Sequence, residues 1–461
     1  MSQSVLQQLI SKLGVEKVLN GNDLHERYDH IWRMNIPLSA KALVLPRTTE
    51  EVSAILKICH AQNQPVVIHG GLTGLVGGTE TQKHEIVIST EKMNSIEELD
   101  EKSRTITVQA GVILENIHRK AKEKDLMFPM TFGAKGSAQI GGVIATNAGG
   151  LRVFRYGMTR NMVLGLEAVL ADGTVISSMK KLIKDNSGYD LKQIFIGSEG
   201  TLGVVTKAIL KLEEAPLSRI SAFVSLNNFE EIIELLKFVD LGLSENLTGF
   251  ELIWSKTYEA LTGENTSVKP PIPYGCKYYV LIEMLGTNQI KDSEKFNNLI
   301  EVAFEKNLIE DAAFAETGSD LNWFWRLRED VQVLTADMSF HQDFDISIPL
   351  NFIEKETNNI INNLEKMKEV ESVFTFGHLA DGNIHFIVGK KDDSKELTKK
   401  INEVVYAPLK KVAGSISAEH GIGKYKKQYL PISRSANEIT LMKLLKKSLD
   451  PKGILNMGKI I

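Results

Sequence analysis

A short apolar strand that runs directly into glycines is the strongest constraint on how this chain can fold. Val66-Val67-Ile68 leads into Gly70-Gly71-Leu72-Thr73-Gly74-Leu75-Val76-Gly77-Gly78. Glycines let backbone N–H groups approach a bulky anion closely, so this loop is a candidate phosphate cradle. Its spacing is not GxGxxG and no helical pattern opens there, which argues against a Rossmann fingerprint. The chain also lacks the GxxxxGK(S/T) segment of a P-loop.

Two further regions of the chain are also rich in glycine. One spans residues 128–157 and the other is Gly197-Ser198-Glu199-Gly200-Thr201-Leu202-Gly203, which residues 193–196 are expected to enter as a strand. Between them, residues 163–170 read as a strand that ends in a tight turn. Turns alone would account for one such cluster. Three clusters rich in small and hydroxyl residues predict an extended cofactor that lies along the backbone.

The pattern changes after Pro216, where helices and strands begin to alternate. Amphipathic helices are predicted at 229–239 and 293–306, and a buried strand at 278–284. This alternation indicates a separate α+β domain. A chain of 461 residues is long enough for two or three domains. A last helix is predicted at 437–449.

Composition excludes several classes of partner and compartment. A net charge of −4 gives no reason to expect nucleic acid. The two cysteines, Cys59 and Cys276, form neither a disulfide framework nor a zinc ribbon, which fits a reducing interior. Residues 1–29 lack an apolar core of a signal peptide, and no run approaches the roughly 18 apolar residues of a spanning helix. We therefore expect a cytoplasmic protein, at most peripheral to the inner membrane.

A pair of histidines flanks an Asp-Gly turn in residues 377–385. If Asp381-Gly382 is a two-residue hairpin loop, His378 faces His385 across the ladder, with Cβ atoms roughly 5 Å apart. That spacing suits two nitrogens of one metal site, although paired histidines also occur as a satisfied polar pair. Glu419 is a plausible third, oxygen ligand, and His420 would remain nearby as a free base.

These motifs resemble the FAD-linked oxidase family with the vanillyl-alcohol-oxidase-type, or PCMH-type, FAD domain. The resemblance is closest to the branch of D-2-hydroxyglutarate, D-lactate and glycolate dehydrogenases, and it extends from about Pro37 to the C-terminus. It is carried by the three glycine regions, the histidine hairpin, and the segments Lys184-Asp185-Asn186-x-Gly188-Tyr189-Asp190-Leu191, Ala418-Glu419-His420-Gly421 and Asp450-Pro451-Lys452-Gly453-Ile454-Leu455-Asn456.

The resemblance implies an α+β, two-domain flavoprotein. Residues 1–215 would form the FAD-binding domain, with a PCMH-type core at about 37–215. Residues 216–425 would form the cap that binds substrate and metal, and 426–461 would return to the FAD domain. Leu72 stands where some relatives carry a histidine that tethers the flavin, so FAD is expected to be non-covalent, and His69 is expected to have a packing role. The FAD-binding residues implied are Gly70, Gly71, Leu72, Thr73, Gly74, Gly77, Gly78, Gly136, Ser137, Gly141, Gly142, Thr146, Asn147, Gly149, Gly150, Gly157, Glu199, Gly200, Gly203, Val204, Val205 and Asn456.

By the same resemblance, His378, His385 and Glu419 match ligands of a divalent metal, usually zinc, and His420 matches the catalytic base. The residue types suit the oxidation of a 2-hydroxy acid, which loses its hydroxyl proton and a hydride from C2. A Lewis acid lowers the pKa of the hydroxyl group, and a neutral imidazole can take the proton.

Arg328 matches the arginine that binds the substrate carboxylate, a role that suits a planar bidentate cation. The alternative for Arg328 is an ion pair on a helix surface, and Arg326 is the weaker candidate. Two positions depart from the hydroxyglutarate branch. Gln332 replaces a threonine, and Asp343 replaces a lysine, so an acid would repel the distal carboxylate of a dicarboxylic substrate.

The sequence therefore predicts an FAD-dependent D-2-hydroxy-acid dehydrogenase that acts on a D-lactate-like (R)-2-hydroxy acid, with Arg328, Gln332, Asp343 and His420 at the substrate. The alternatives are a D-2-hydroxyglutarate dehydrogenase, a flavin-bearing electron-transfer subunit of a glycolate-oxidase-like complex, and a metal-dependent hydrolase that would have no need of three glycine clusters. The electron acceptor would be a quinone, an electron-transfer flavoprotein or a cytochrome, and a homodimer is a candidate assembly.

Overall fold

The structure is a computed structural model that describes residues 3–25, 38–263, 266 and 268–461. Pro37, the expected start of the FAD core, lies outside the described residues, as do residues 1–2 and 26–29 of the segment searched for a signal peptide. The chain divides into two compact units. The first comprises Met1–Gly150, Tyr156–Ala215 and Glu419–Ile461, and the second comprises Leu151–Arg155 and Pro216–Ala418.

The first unit contains three sheets. A four-stranded sheet has the order Val18–Leu19, Ala42–Val44, Ile86–Ser89 and Val66–His69, and a five-stranded antiparallel sheet has the order Ile96–Asp100, Thr105–Gln109, Val204–Lys211, Val163–Val169 and Val175–Ser178. Leu126–Met127 pairs with Glu213–Glu214. Ala42–Val44 and Val66–His69 both run parallel to Ile86–Ser89, so the strand that precedes the first glycine loop lies at the edge of its sheet.

The first unit also contains helices of 4 to 14 residues. Thr49–Ala61 begins at Thr48, whose hydroxyl accepts from the N–H of Glu51, and its stripe of Val52, Ile55, Leu56 and Cys59 is buried in the core of the four-stranded sheet. The other helices are Val5–Leu13, Asn22–His25, Leu114–Lys122, Ile140–Ala145, Thr159–Met162, Lys192–Phe195, Leu430–Ser433 and Ala436–Leu449, and the short helix Val153–Tyr156 spans the boundary between the units.

The second unit is built on one antiparallel sheet of seven strands. Their order is Asp311–Phe314, Ser218–Leu226, Tyr278–Gly286, Leu247–Trp254, Val370–His378, Asn383–Lys390 and Phe340–Ser347. Its helices are Phe229–Leu243, Ser255–Thr262, Gln289–Glu305, Gly318–Glu329, Val331–Thr335, Ile353–Glu365 and Lys395–Tyr406. The helix Gly318–Glu329 packs on the sheet through Phe324, Trp325 and Leu327, which share a core with Tyr279 and Phe376. This helix therefore covers the sheet face that carries the histidines.

Most of the predicted elements are confirmed. The predicted strand at 163–170 is Val163–Val169, and the helices predicted at 229–239, 293–306 and 437–449 are each present and slightly longer at the start or end. The expectation of a strand at 193–196 was wrong, because Lys192–Phe195 is a helical turn that buries Phe195. Within the described part of the chain, no helix combines the length and apolar character needed to cross a bilayer.

Candidate functional site

The first two glycine regions pack against each other within the first unit. An added Cβ at Gly71 would collide with the backbone carbonyl oxygen of Ser137, and one at Gly70 would lie 3.7 Å from the backbone nitrogen of Gly142. An added Cβ at Gly74 or at Gly142 would instead meet no atom within 4 Å. Gly71 therefore serves close backbone approach, whereas Gly70 makes an ordinary contact. Gly74 and Gly142 border open space that a bulky group can fill.

The third glycine region joins this arrangement through hydrogen bonds. The N–H of Glu199 donates to the carbonyl of Ala145 at 2.7 Å. Asn456 donates from Nδ2 to the carbonyl of Glu199 at 2.6 Å, and its Oδ1 accepts from the N–H of Ile68 at 3.0 Å. An added Cβ at Gly200 would lie 2.8 Å from Asn456 Nδ2. The three glycine regions and Asn456 are thus brought together.

Several residues of the expected FAD set have packing or turn roles. Val204 and Val205 are buried in the core, and an added Cβ at Gly203 would lie 2.8 Å from the ring of Phe195. Gly157 has a φ of 77°, in the left-handed region that favours glycine. For these four expected residues, the surrounding protein by itself accounts for the residue type.

Thr146 and Asn147 close the helix Ile140–Ala145 on the side of the second glycine region. The hydroxyl of Thr146 donates to the carbonyl of Gly142 at 3.0 Å. Asn147 has a φ of 47°, and its Oδ1 accepts from the N–H of Arg160 at 2.9 Å. Both side chains therefore shape the turn that leads into Gly149-Gly150.

His69 and Leu72 flank the first two glycines of the first loop. His69 is buried and donates from Nε2 to the carbonyl of Thr79 at 2.9 Å, while its Nδ1 has no partner within the described residues. Burial lowers the pKa of His69 to about 4, so the ring is neutral near pH 7. Leu72 adopts a left-handed φ of 57° and offers no nucleophile for a covalent flavin link.

The segment that carries Glu419 packs on the glycine regions of the first unit. An added Cβ at Gly149 would lie 2.8 Å from Oε1 of Glu419. The N–H groups of Ile422 and Gly423 donate to the carboxylate of Glu199 at 2.7 and 2.8 Å. Burial raises the pKa of Glu199, and these two hydrogen bonds partly oppose that rise.

Further backbone hydrogen bonds explain where the two units divide. The N–H of Lys424 donates to the carbonyl of Val76, and the N–H of Ile460 donates to the carbonyl of Gly423, each at 2.9 Å. These contacts belong to the first unit, so the second unit ends at Ala418 rather than at residue 425, where the cap domain was expected to end.

The histidine hairpin of the second unit has a different register from the expected one. Leu379–Asp381 forms a 3₁₀ turn that ends at Gly382, so His378 pairs with Asn383 and Phe376 pairs with His385. The expected direct pairing of His378 with His385 was wrong because the loop has four residues rather than two. A shift of two residues keeps both histidines on one sheet face. Their ring centroids are 5.5 Å apart, and one nitrogen of each lies within 4.8 Å of the other.

A buried carboxylate that the sequence analysis missed holds both His378 and Arg328. Glu251 is the register partner of His378 on the neighbouring strand. Its Oε1 lies 2.6 Å from Nδ1 of His378, and its Oε2 accepts from Nε of Arg328 at 2.6 Å. Nη2 of Arg328 lies 3.3 Å from Nε2 of His378. A carboxylate only accepts, so His378 carries its proton on Nδ1 and accepts from the arginine at Nε2.

The charges of this cluster compensate one another in a buried place. Burial alone would raise the pKa of Glu251. His378 and Arg328 together lower the pKa by more than burial raises it, so the pKa lies below the ordinary value. The guanidinium carbon of Arg328 lies 4.6 Å from the ring centroid of Phe376, within cation–π distance. A lone charged residue in the mostly apolar strand Leu247–Trp254 is a signal that could have identified Glu251.

A second buried carboxylate, Asp345, lies beside His385. The two are register partners, and a carboxylate oxygen of Asp345 lies within 4.8 Å of a ring nitrogen of His385. Asp345 accepts from Nδ2 of Asn383 and from the N–H of Ala418, each at 3.1 Å, and from the hydroxyl of Ser417 at 3.2 Å. The peptide chain at Ala418 is therefore held against the strand opposite His385.

The other expected substrate residues differ in burial. Arg328 is buried whereas Arg326 is exposed on the same helix, which favours Arg328 for a role in a site. Gln332 is exposed. Asp343 is partly buried, and its Oδ1 lies 2.8 Å from Nδ1 of His341. On the strand Phe340–Ser347, Asp343 points to the same face as Asp345.

Two family models match the chain along most of its length. An FAD binding domain matches residues 40–178, and the C-terminal domain of FAD linked oxidases matches residues 215–460. The chain belongs to the FAD-linked oxidases. It is accordingly an FAD-dependent oxidoreductase, and the expected α+β fold with a PCMH-type FAD domain is confirmed.

Relatives and solved structures agree with this family. The chain is 37% identical over 451 residues to the mitochondrial D-2-hydroxyglutarate dehydrogenase of Arabidopsis thaliana, covering 97% of this chain and 80% of that protein. It is 38% identical over 451 residues to a protein of Schizosaccharomyces pombe provisionally named a mitochondrial D-lactate dehydrogenase, covering 96% and 85%. It is similar in structure to p-cresol methylhydroxylase, with a TM-score of 0.77, 17% identity and coverage of 99% and 96%. The last likeness concerns the fold alone.

Proposed function

We propose that this FAD-linked oxidase is a D-2-hydroxy-acid dehydrogenase that oxidises an (R)-2-hydroxy acid to the 2-oxo acid. The observation that carries the proposal is the buried cluster of Glu251, His378 and Arg328, which places a carboxylate-binding cation beside an imidazole on one sheet face. His385 lies on the same face, with its ring centroid 5.5 Å from that of His378.

The glycine regions and Asn456 fit a non-covalently bound FAD. Gly74 and Gly142 border open space, and the left-handed turn at Leu72 keeps the first loop tight. Backbone N–H groups at such loops suit a pyrophosphate. FAD, when bound, accepts the hydride from C2 of the substrate. This assignment is supported by the FAD binding domain that matches residues 40–178.

His378, His385 and Glu419 would hold a divalent metal, for which zinc suits the donor set. The fit is supported by the hydrogen bond from Nδ1–H of His378 to Glu251, because metal-binding imidazoles generally donate their other N–H to a carboxylate. A bound metal supplies a Lewis acid for the hydroxyl group of the substrate.

His420 would accept the hydroxyl proton, and Arg328 would hold the carboxylate of the substrate. Chain connectivity supports bringing Glu419 and His420 to this face. Ala418 is fixed to Asp345, the register partner of His385, and consecutive Cα atoms are about 3.8 Å apart. His420 therefore lies only two residues beyond an anchored position.

The residue Asp343 favours a substrate with one carboxylate, such as D-lactate or a hydroxyl-bearing D-2-hydroxy acid. An acid on this face repels a second carboxylate, whereas it can accept from a hydroxyl group. D-2-hydroxyglutarate is the second candidate, and the names of relatives 36–38% identical to this chain favour it.

The experiment is an anaerobic titration of the purified flavoprotein with D- and L-2-hydroxy acids, before and after treatment with a chelator. Bleaching at about 450 nm, where oxidised flavin absorbs, is expected with D-acids alone and is expected to be lost with the chelator. A yellow protein that no hydroxy acid bleaches would instead support a flavin-bearing electron-transfer subunit. A colourless protein would contradict the FAD assignment.

A further inference from the structure

Two glutamates are buried side by side in the seven-stranded sheet of the second unit, and they have different partners. Glu251 lies on the strand Leu247–Trp254, and Glu283 lies on the adjacent strand Tyr278–Gly286. Both side chains are at most 1% exposed. Neighbouring register pairs place both on the sheet face that carries His378. Buried carboxylates are costly unless they are paired, so each one requires an explanation.

The burial of Glu283 is accounted for by hydrogen bonds to residues of the same unit. It accepts from Nε of Arg219 at 2.6 Å, from Nε1 of Trp325 at 2.9 Å, and from Arg152 and Thr248 at 3.2–3.4 Å. None of these residues belongs to the proposed metal or substrate set. Glu283 therefore joins a helix to the sheet.

Glu251 contacts one member of each proposed set. One oxygen accepts from the Nδ1–H of His378, a proposed metal ligand, and the other accepts from Nε of Arg328, the proposed carboxylate-binding residue. With 2.6 Å at both oxygens, the carboxylate fixes the imidazole plane and the guanidinium plane relative to each other. Nη2 of Arg328 in turn lies 3.3 Å from Nε2 of His378.

We propose that Glu251 is a positioning residue that orients His378 toward the metal and Arg328 toward the substrate carboxylate, so that metal binding and carboxylate binding are set by one buried group. This inference rests on the proposed function. Arg328 and the metal are then alternative partners of Nε2 of His378, because one nitrogen lone pair cannot accept a hydrogen bond from the arginine and bind the metal at the same time.

Glutamine tests the shared role because it has a single acceptor oxygen. In Glu251→Gln, that oxygen can accept from His378 or from Arg328, and the amide NH₂ then faces the other donor. Aspartate retains two oxygens but is one methylene shorter, so Glu251→Asp should recover part of the lost function. Glu283→Gln is the matched control, since it makes the same change at an equally buried glutamate on the same sheet face.

The measurement is the affinity of the FAD-loaded protein for Zn²⁺, obtained by competition with a chromophoric chelator. We expect Glu251→Gln to bind Zn²⁺ about 10- to 100-fold more weakly, the range typical for groups that orient a metal ligand, with Glu251→Asp in between. Glu283→Gln should stay within about threefold of the parent protein. The KM for the best D-2-hydroxy acid should rise in Glu251→Gln and not in the control. Equal losses of Zn²⁺ affinity in the two glutamine variants would overturn the proposal.

Arg328→Met gives an independent test if Glu251→Gln does not fold. Removing the guanidinium removes the partner that lies 3.3 Å from Nε2 of His378 and a positive charge beside the metal, so Zn²⁺ should bind at least about threefold more tightly while the KM for the hydroxy acid rises. Weaker Zn²⁺ binding in Arg328→Met would contradict the shared arrangement. The Zn²⁺ titrations do not require turnover, so they remain decisive even if no hydroxy acid reduces the flavin and the proposed function fails.

Discussion

The side-chain amide of Asn456 donates to the backbone carbonyl of Glu199 at 2.6 Å. Its carbonyl oxygen accepts from the N–H of Ile68 at 3.0 Å. One residue near the C-terminus therefore holds together the strand before the first glycine region and the turn of the third. Both regions are proposed to border FAD, so the affinity for FAD should depend on this contact.

Asn456→Ala is expected to lower FAD affinity by roughly 10- to 30-fold. Two hydrogen bonds are lost at about 1 kcal/mol each, and about 1.4 kcal/mol corresponds to a tenfold change in affinity. Flavin fluorescence during titration of the apoprotein measures the change. Asn437→Ala, at an exposed position, is the control and should leave FAD affinity unchanged. Equal affinities for all three proteins would contradict the role of Asn456.

His420→Ala is expected to retain FAD and to lose at least about 100-fold in the rate of flavin reduction by a D-2-hydroxy acid. General-base catalysis by a positioned imidazole typically contributes 10²- to 10⁴-fold. Stopped-flow absorbance under anaerobic conditions measures the rate. His84→Ala, at an exposed histidine, should reduce at the parent rate. Normal reduction in His420→Ala would remove His420 from the mechanism.

His69 should make the stability of the protein fall as the pH falls from about 6.5 to about 4. The folded pKa is lowered to about 4, against about 6.5 in the unfolded chain, so the unfolded state binds more protons between these values. The contribution of His69 to the free energy of unfolding is therefore fully present above pH 6.5. It falls by on the order of 3 kcal/mol as the pH falls to about 4. Urea unfolding at several pH values measures the slope. His69→Gln should flatten it, and an unchanged slope would refute the assignment.

Asp343→Lys should shift substrate preference toward dicarboxylic acids. The change replaces a carboxylate with an ammonium group on the sheet face that carries Asp345 and His385, so the ratio of kcat/KM for D-2-hydroxyglutarate to that for D-lactate should rise at least about tenfold. Asp343→Asn separates the loss of repulsion from the gain of attraction and should give a smaller rise. A parent enzyme that already prefers D-2-hydroxyglutarate would contradict the proposed exclusion.

Local patterns predicted the parts of the structure that depend on neighbouring residues. The strand Val66–His69 and the following glycines lie where the sequence indicated, because an apolar run and glycine backbone freedom are local properties. The hairpin histidines were also found, but their register was not. Sequence alone favoured a two-residue Asp-Gly loop, whereas the 3₁₀ turn Leu379–Asp381 adds two residues to the loop.

Contacts distant along the chain could not be predicted in this way. Glu251 lies 127 residues before His378, and only the pairing of the strands Leu247–Trp254 and Val370–His378 makes them neighbours. The lone acid in the mostly apolar strand Leu247–Trp254 could have indicated a buried charge, but it could not have identified the partner. The helical turn Lys192–Phe195 was missed because a run of three apolar residues, Ile194 to Ile196, does not distinguish a helix from a strand.

The contact of Asn456 with the strand before the first glycine region also has a consequence for biosynthesis. Leu455 forms a parallel bridge with Val66, so the edge of the four-stranded sheet is completed only by a residue that is translated after all the strands of the seven-stranded sheet. The seven strands of that sheet all lie within residues 218–390, so they leave the ribosome before Leu455 does. The second unit can therefore fold before the first unit is complete, and a product released before Leu455 should contain a folded second unit yet remain colourless.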